Sequence, residues 1–175
     1  MLTYDFHQHL WPSAFTQALE RRSRPPFVRG DQLVTVEGAF GIDRAVHDPA
    51  RRLAMLDRDG IDVAVLSLQP TLGVEGLEPD DREELEGSWR EGMREVVAAG
   101  DGRFVALAPW RLDAAFAGVS VGASALAGEV GAPVLVEADA AAALVFVHPE
   151  AGGPIPPGRP DWWQWTAGYS AQMQG

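Results

Sequence analysis

The chain contains no cysteine and no lysine. The first absence excludes disulfides, thiolate metal sites and a cysteine nucleophile. The second leaves all 14 basic residues as arginine, which excludes a phosphate-loop lysine, a lysine Schiff base and a carboxylated lysine bridging two metals. Any metal would therefore be held by imidazole nitrogen and carboxylate oxygen, donors that suit zinc or another divalent first-row ion. Long apolar runs are missing as well, none approaching the ~18 residues that span a bilayer. The opening Met1-Leu2-Thr3-Tyr4-Asp5 has neither a basic start nor an apolar signal core, so a cytoplasmic location is expected. Positive charge is scarce: 25 acids face 14 bases, for a formal net charge of −11. That balance disfavours nucleic acid and anionic membranes. The one basic cluster, Arg21, Arg22, Arg24 and Arg29, reads as a solvated loop rather than a phosphate site.

What is present is enough apolar mass for one core, 46% hydrophobic residues in 175 with a mean hydropathy of −0.08. Short apolar runs alternate with helical stretches. Leu2 to Leu10 reads as a first strand, and Pro12 to Arg22 as a helix with Phe15 and Leu19 on one face. Leu33-Val34-Thr35-Val36 before Gly38 suggests a small hairpin or excursion. Asp48 and Pro49 form a helix start, with Leu53 and Leu56 inward and Gly60 as the stop. Val63 to Leu68 reads as a strand buried on both sides. A helix follows from Pro79 to about Gly100, with acids crowding its first turns and Leu85, Trp89 and Val96 as its apolar stripe. Phe104–Leu107 is the next strand and Gly118–Val121 a weaker one. Ala132 to Ala143 reads as helical, with Glu137 and Asp139 facing solvent, and Leu144–His148 as a buried strand. Gly152 to Pro160 is expected to be a loop. The tail from Asp161 to Met173, with Trp162, Trp163 and Trp165, reads as an aromatic-rich helix. This alternation predicts an α/β fold, a single unit of about five parallel βα repeats.

Within that frame two histidines stand out. His7 and His9 are two apart, and a strand sends residues i and i+2 to the same face, so their rings should project side by side. Two neutral imidazoles together make a pair of metal ligands; the other reading is an exposed strand whose histidines do nothing. Asp5 shares their parity, and it either orients a ligand histidine through its second ring nitrogen or pairs with an arginine. His148 ends its strand, and in parallel α/β folds that end is where ligands collect. His47 precedes the capping Asp48 and reads as a structural residue leading into the helix. Trp11 and the tail tryptophans either wall a substrate pocket or serve packing. The glycines from Gly118 to Gly128 lack the spacing of a nucleotide-binding loop.

Three segments also carry a family resemblance: Asp5-Phe6-His7-Gln8-His9, the Arg51-Arg52-Leu53 helix leading into Gly60–Ser67, and Phe146-Val147-His148-Pro149. Together they resemble the amidohydrolase superfamily, nearest to its amidohydrolase-2 branch. That group includes metal-dependent hydrolases and aminocarboxymuconate-semialdehyde-type decarboxylases. The resemblance runs from Leu2 to Met173. It implies a (βα)8 TIM barrel with a divalent metal at its C-terminal mouth, zinc expected with manganese and iron as alternatives, and a small-molecule substrate as the partner. His7 and His9 would be first-strand ligands and His148 the fifth-strand ligand, with Asp5 behind them and Trp11 against the substrate. The implied reaction is hydrolysis, a metal-activated water attacking an amide, ester or lactone carbon. The alternative is decarboxylation of an unsaturated acid by the same metal.

The family pattern continues with a histidine on a sixth strand and an aspartate on an eighth, and no counterpart of either follows here. The catalytic proton-transfer residue thus has no match in these 175 residues, whereas a complete barrel takes ~250. The chain is accordingly expected to be an incomplete barrel, truncated after about five βα units. Its open sheet edges would invite self-association as a homo-oligomer, or a partner bringing further strands. A last reading is a non-catalytic fragment that binds metal or a partner only.

Overall fold

A computed structural model describes residues 1–123, 131–148 and 158. The expected loop from Gly152 and the aromatic tail lie outside the described residues, Gly158 excepted. The elements run β1 (Tyr4–His9), α1 (Ser13–Arg21), β2 (Phe27–Arg29), β3 (Gln32–Thr35), β4 (Gly38–Gly41), a 3₁₀ turn (Arg44–His47) and α2 (Pro49–Asp59). They continue with β5 (Val63–Ser67), two 3₁₀ turns (Pro70–Leu72 and Val74–Gly76), α3 (Pro79–Ala99), β6 (Phe104–Pro109), β7 (Gly118–Gly122), α4 (Gly131–Ala140) and β8 (Leu144–His148).

Local chemistry explains where the helices begin and end. Asp48 caps α2 by accepting from the backbone N–H groups of Ala50 and Arg51 at 2.8 and 3.4 Å, and Pro49 takes the first helical position. Gly60 closes the helix with φ +68°, a left-handed turn that a side chain would resist. α3 starts at Pro79 with Asp80 and Asp81 in its first turn. It buries Leu85, Trp89, Met93 and Val96 along one stripe. The Trp89 indole N–H donates to the Leu10 carbonyl at 3.1 Å, tying this helix to the end of β1.

Five strands form one parallel sheet in the order β1-β5-β6-β7-β8, curled into part of a TIM barrel with helices on its outer face. β5 is buried at every position, as its uninterrupted apolar run predicts. The core gathers Leu10, Phe15 and Leu19 with Leu66, Trp89 and Phe104. β2, β3 and β4 make a separate antiparallel sheet between α1 and α2. Only its β3 was expected as a strand.

Two features depart from expectation. β8 is not a buried strand: Leu144 and Val147 are exposed and only His148 is buried. β8 pairs with β7 alone among the described residues. β1 pairs with β5 alone in the same way, leaving Tyr4 and Phe6 half exposed. The second departure is a bulge in β1. Asp5 opposes Ala64 and Gln8 opposes Leu66, so three steps on β1 match two on β5. Bulges of this kind bend a strand and re-aim its side chains.

Candidate metal centre

The curl of the sheet brings its two outermost strands back toward each other at the C-terminal end. His7 and His9 come from β1 and His148 from β8. The Nε2 atoms of His7 and His148 lie 2.8 Å apart, and those of His148 and His9 3.2 Å apart. The His7 ring is exposed, His9 half-buried and His148 buried.

The donor set suits a divalent ion. Two imidazole nitrogens on one zinc sit about 2.9–3.4 Å apart, given Zn–N bonds of ~2.0–2.1 Å and angles of about 90–110°. The two separations fall close to that span. The tautomer of His9 is also set for ligation. Its Nδ1 lies 3.1 Å from the Ser67 carbonyl, an acceptor only, so Nδ1 carries the proton and Nε2 keeps its lone pair. Any hydrogen bond between His9 and His148 must then draw its proton from His148. Burial lowers the His9 pKa to about 4; repulsion from His148, His7 and Arg52 adds to this, while the Ser67 hydrogen bond opposes it. At neutral pH the ring gives up no proton to accept an ion.

Behind the three histidines runs a chain of polar contacts. Arg52 on α2 donates to Gln8 Oε1 at 3.0 Å, and Gln8 donates to Asp5 Oδ2 at 2.7 Å. The other Asp5 oxygen accepts from the backbone N–H of His7 at 3.1 Å. Asp5 therefore reaches His7 through its amide, while the arginine next in the chain of contacts is Arg52. Arg52 also donates to the carbonyls of Val46 and His9 at 2.7 and 3.3 Å, bracing the end of β1 against α2. Such contacts hold a ligand strand in place.

Trp11 is buried, 4% exposed. Its indole stacks on the His47 imidazole, with centroids 4.4 Å apart and planes within 9°. Its backbone N–H donates to His47 Nδ1 at 3.2 Å. His47 is thus more than a residue leading into α2. Burial lowers its pKa to about 4, with Arg52 adding to the effect and Asp43 opposing it. This makes stability depend on pH. Below the unfolded value of ~6.5 the unfolded chain takes up a proton that folded His47 refuses, so stability falls as pH drops toward 4. With an allowance for the partial exposure of the ring, the expected loss is about 1–2 kcal/mol. Urea denaturation at pH 7 and pH 5 checks it: His47→Gln should shrink the difference between the two, and an unchanged difference would refute the assignment.

No protein-family model matches the chain, nor does any curated protein. Solved structures do. The chain is similar to IDCase from Metarhizium anisopliae, with TM-score 0.74, 18% identity and coverage of 98% of this chain and 58% of that one. It is similar to 5-carboxyvanillate decarboxylase LigW from Sphingomonas paucimobilis, with TM-score 0.67, 18% identity and coverage of 98% and 61%. It is also similar to 2,6-dihydroxybenzoate decarboxylase from Rhizobium, with TM-score 0.65, 16% identity and coverage of 99% and 60%. The fold is the one these proteins share. The chain spans about three fifths of their length, which agrees with a barrel that is incomplete here.

The structure brings His7, His9 and His148 together, and these are the three histidines singled out in the sequence. Among the described residues they form the one group of histidines and acids disposed to hold an ion. Glu137 and Asp139 are exposed on α4, as expected. Ser67, Gln8, Arg52 and the Trp11–His47 stack had no assigned role in the sequence. Arg52 carried a faint signal, as part of the Arg51-Arg52-Leu53 segment in the family resemblance.

Proposed function

We propose that this chain supplies the three-histidine part of a divalent metal centre, zinc first among the candidates, in an enzyme of the amidohydrolase type. The observation that carries the reading is the convergence of His7, His9 and His148 on one point, with His9 already in the ligating tautomer. Bound there, the ion would act as a Lewis acid toward negative charge developing on a substrate oxygen. The chain's own residues do the rest. The Ser67 carbonyl fixes the His9 ring, Asp5 and Gln8 hold the His7 backbone, and Arg52 anchors the strand end. His7 is the exposed member of the triad, which would leave the centre open to a substrate.

Decarboxylation is the reaction class we favour for the complete protein. Two of the structural neighbours are named as decarboxylases acting on aromatic acids, and the sequence resemblance includes decarboxylases. Hydrolysis of an amide, ester or lactone is the second reading. Its support is the donor set: three neutral imidazoles leave the full charge of the ion available to acidify water, as a three-histidine set does in zinc hydrolytic sites. Either reaction needs a proton-transfer group, and no described residue beside the triad is assigned that role. The 175 residues alone should therefore bind an ion and turn over little substrate. The open edges of β1 and β8 are where further strands, or a second copy of the chain, would pair.

Elemental analysis of the purified, dialysed chain tests the core of this proposal. About one divalent ion per chain is expected under metal-replete conditions. Failure to retain any such ion at neutral pH would remove the centre and both reactions with it. For the reaction class, release of carbon dioxide from an aromatic carboxylic acid by the metal-loaded complete protein supports decarboxylation. Cleavage of an aryl ester or lactone without carbon dioxide supports hydrolysis instead.

A further inference from the structure

A cavity of about 500 Å³ lies between the three-stranded sheet and the end of β1. Its wall includes Leu33, Phe40, Ile42 and Val46, with Trp11 and His47. A second cavity of about 430 Å³ meets the same Trp11–His47 pair from the side of α1. Trp11 follows His9 by two residues, and Gln69, which also borders the larger cavity, follows Ser67 by two. The cavity thus opens at the same end of the sheet as the triad.

Three observations define what it would accept. First, the tautomer of neutral His47 is fixed. Its Nδ1 accepts the backbone N–H of Trp11, so the ring's proton sits on Nε2 and is a donor. Second, the indole N–H of Trp11 is buried with no acceptor among the described residues. Buried donors are normally paired, but this nitrogen offers no surface to the cavity, so His47 is left as the donor an occupant would meet. Third, the charges bordering the larger cavity are acidic, Glu37 and Asp43, and no arginine lines it among the described residues. An anionic occupant would meet this acidic wall, offset in part by Arg51, paired with Asp43 at 3.9 Å, and by Arg52, close enough to lower the His47 pKa.

We propose that this cavity binds a neutral aromatic group bearing a hydrogen-bond-accepting oxygen, with His47 as the donor that selects it and the Trp11–His47 stack as its wall. Flat apolar walls with a few placed donors are the common make-up of small-molecule sites. That the occupant is the remote part of a substrate rests on the metal-centre reading; the binding chemistry of the cavity does not.

The test uses the full chain labelled with ¹⁵N at histidine, titrated with acetophenone as the neutral probe and benzoate as the anionic one. Saturable acetophenone binding is expected, with a shift at His47 Nε2 and an affinity at least about tenfold above that for benzoate. His47→Phe keeps a ring on Trp11 but removes the donor and should weaken acetophenone binding about tenfold, whereas His47→Gln should stay within about threefold. Ile42→Trp fills the cavity with His47 intact and should abolish binding, which covers the case of a His47 variant that does not fold. Equal affinity for the two probes, wild-type affinity in His47→Phe or Ile42→Trp, or no acetophenone binding to the wild type would each overturn the proposal. Cobalt titration of the same samples keeps the readings separate. Loss of cobalt binding with acetophenone binding intact defeats the metal centre alone, and the reverse pattern defeats the cavity assignment alone.

Discussion

His148→Ala should lower the affinity for zinc or cobalt by about a hundredfold or more, while the chain still unfolds in a single cooperative step. Three features make this substitution the most damaging at the centre. His148 Nε2 is the shared atom, close to both His7 and His9. It is the buried member of the triad, where ion–ligand attraction is least screened by water. It is also the one member of the triad from β8, so its loss leaves two imidazoles from neighbouring positions on a single strand. Removing a residue that merely supports a ligand typically costs 10- to 100-fold in metal affinity, so losing the ligand itself should cost at least the upper figure. The fold should survive because β8 lies at the edge of the sheet and makes few core contacts, its Leu144 and Val147 being exposed. A competitive titration with a chromophoric chelator gives the affinity, and thermal melting of the metal-free protein gives the fold. Wild-type affinity in this variant would show that the three rings do not act on a common ion.

Much of this was legible in the residues because it is written locally. The Asp48-Pro49 start and Gly60 stop of α2 are signals within a dozen residues, and they placed the helix correctly. The apolar run from Val63 to Leu66 in β5 stated its double burial. The i, i+2 spacing of His7 and His9 needs only a strand to put the rings side by side, and their centroids lie 5.1 Å apart. What escaped the sequence depends on pairing across distance. The bulge in β1 exists only relative to β5, through the register of Asp5 with Ala64 and Gln8 with Leu66. The stack of His47 on Trp11 joins residues 36 apart, with no periodic signal. The exposure of β8 was missed for the opposite reason. Leu144-Val145-Phe146-Val147 has the composition of a buried strand, but burial depends on neighbours on both sides, and among the described residues it has one.

Gly118→Ala should damage both stability and metal binding, although residue 118 touches no ligand. Gly118 begins β7 and faces Leu144, the first residue of β8. A methyl group there would meet the backbone carbonyl, carbon and nitrogen of Leu144 well inside contact distance. Those atoms belong to the main chain, so no rotamer change relieves the clash and β8 must move away. Overpacking of this kind typically costs 1–3 kcal/mol, and a backbone obstacle should put the cost near the upper end, about 3 kcal/mol. The displacement travels with the strand. His148 lies four residues along β8, in register with Gly122, so a shift at Leu144 carries its ring away from His7 and His9. An affinity loss of about tenfold is therefore expected even where the variant remains folded. The two substitutions separate the causes: His148→Ala removes a ligand and spares the fold, whereas Gly118→Ala spares every ligand and moves the strand that carries one. Should Gly118→Ala melt like the wild type and hold its ion as tightly, the close approach of β7 and β8 is not what positions His148.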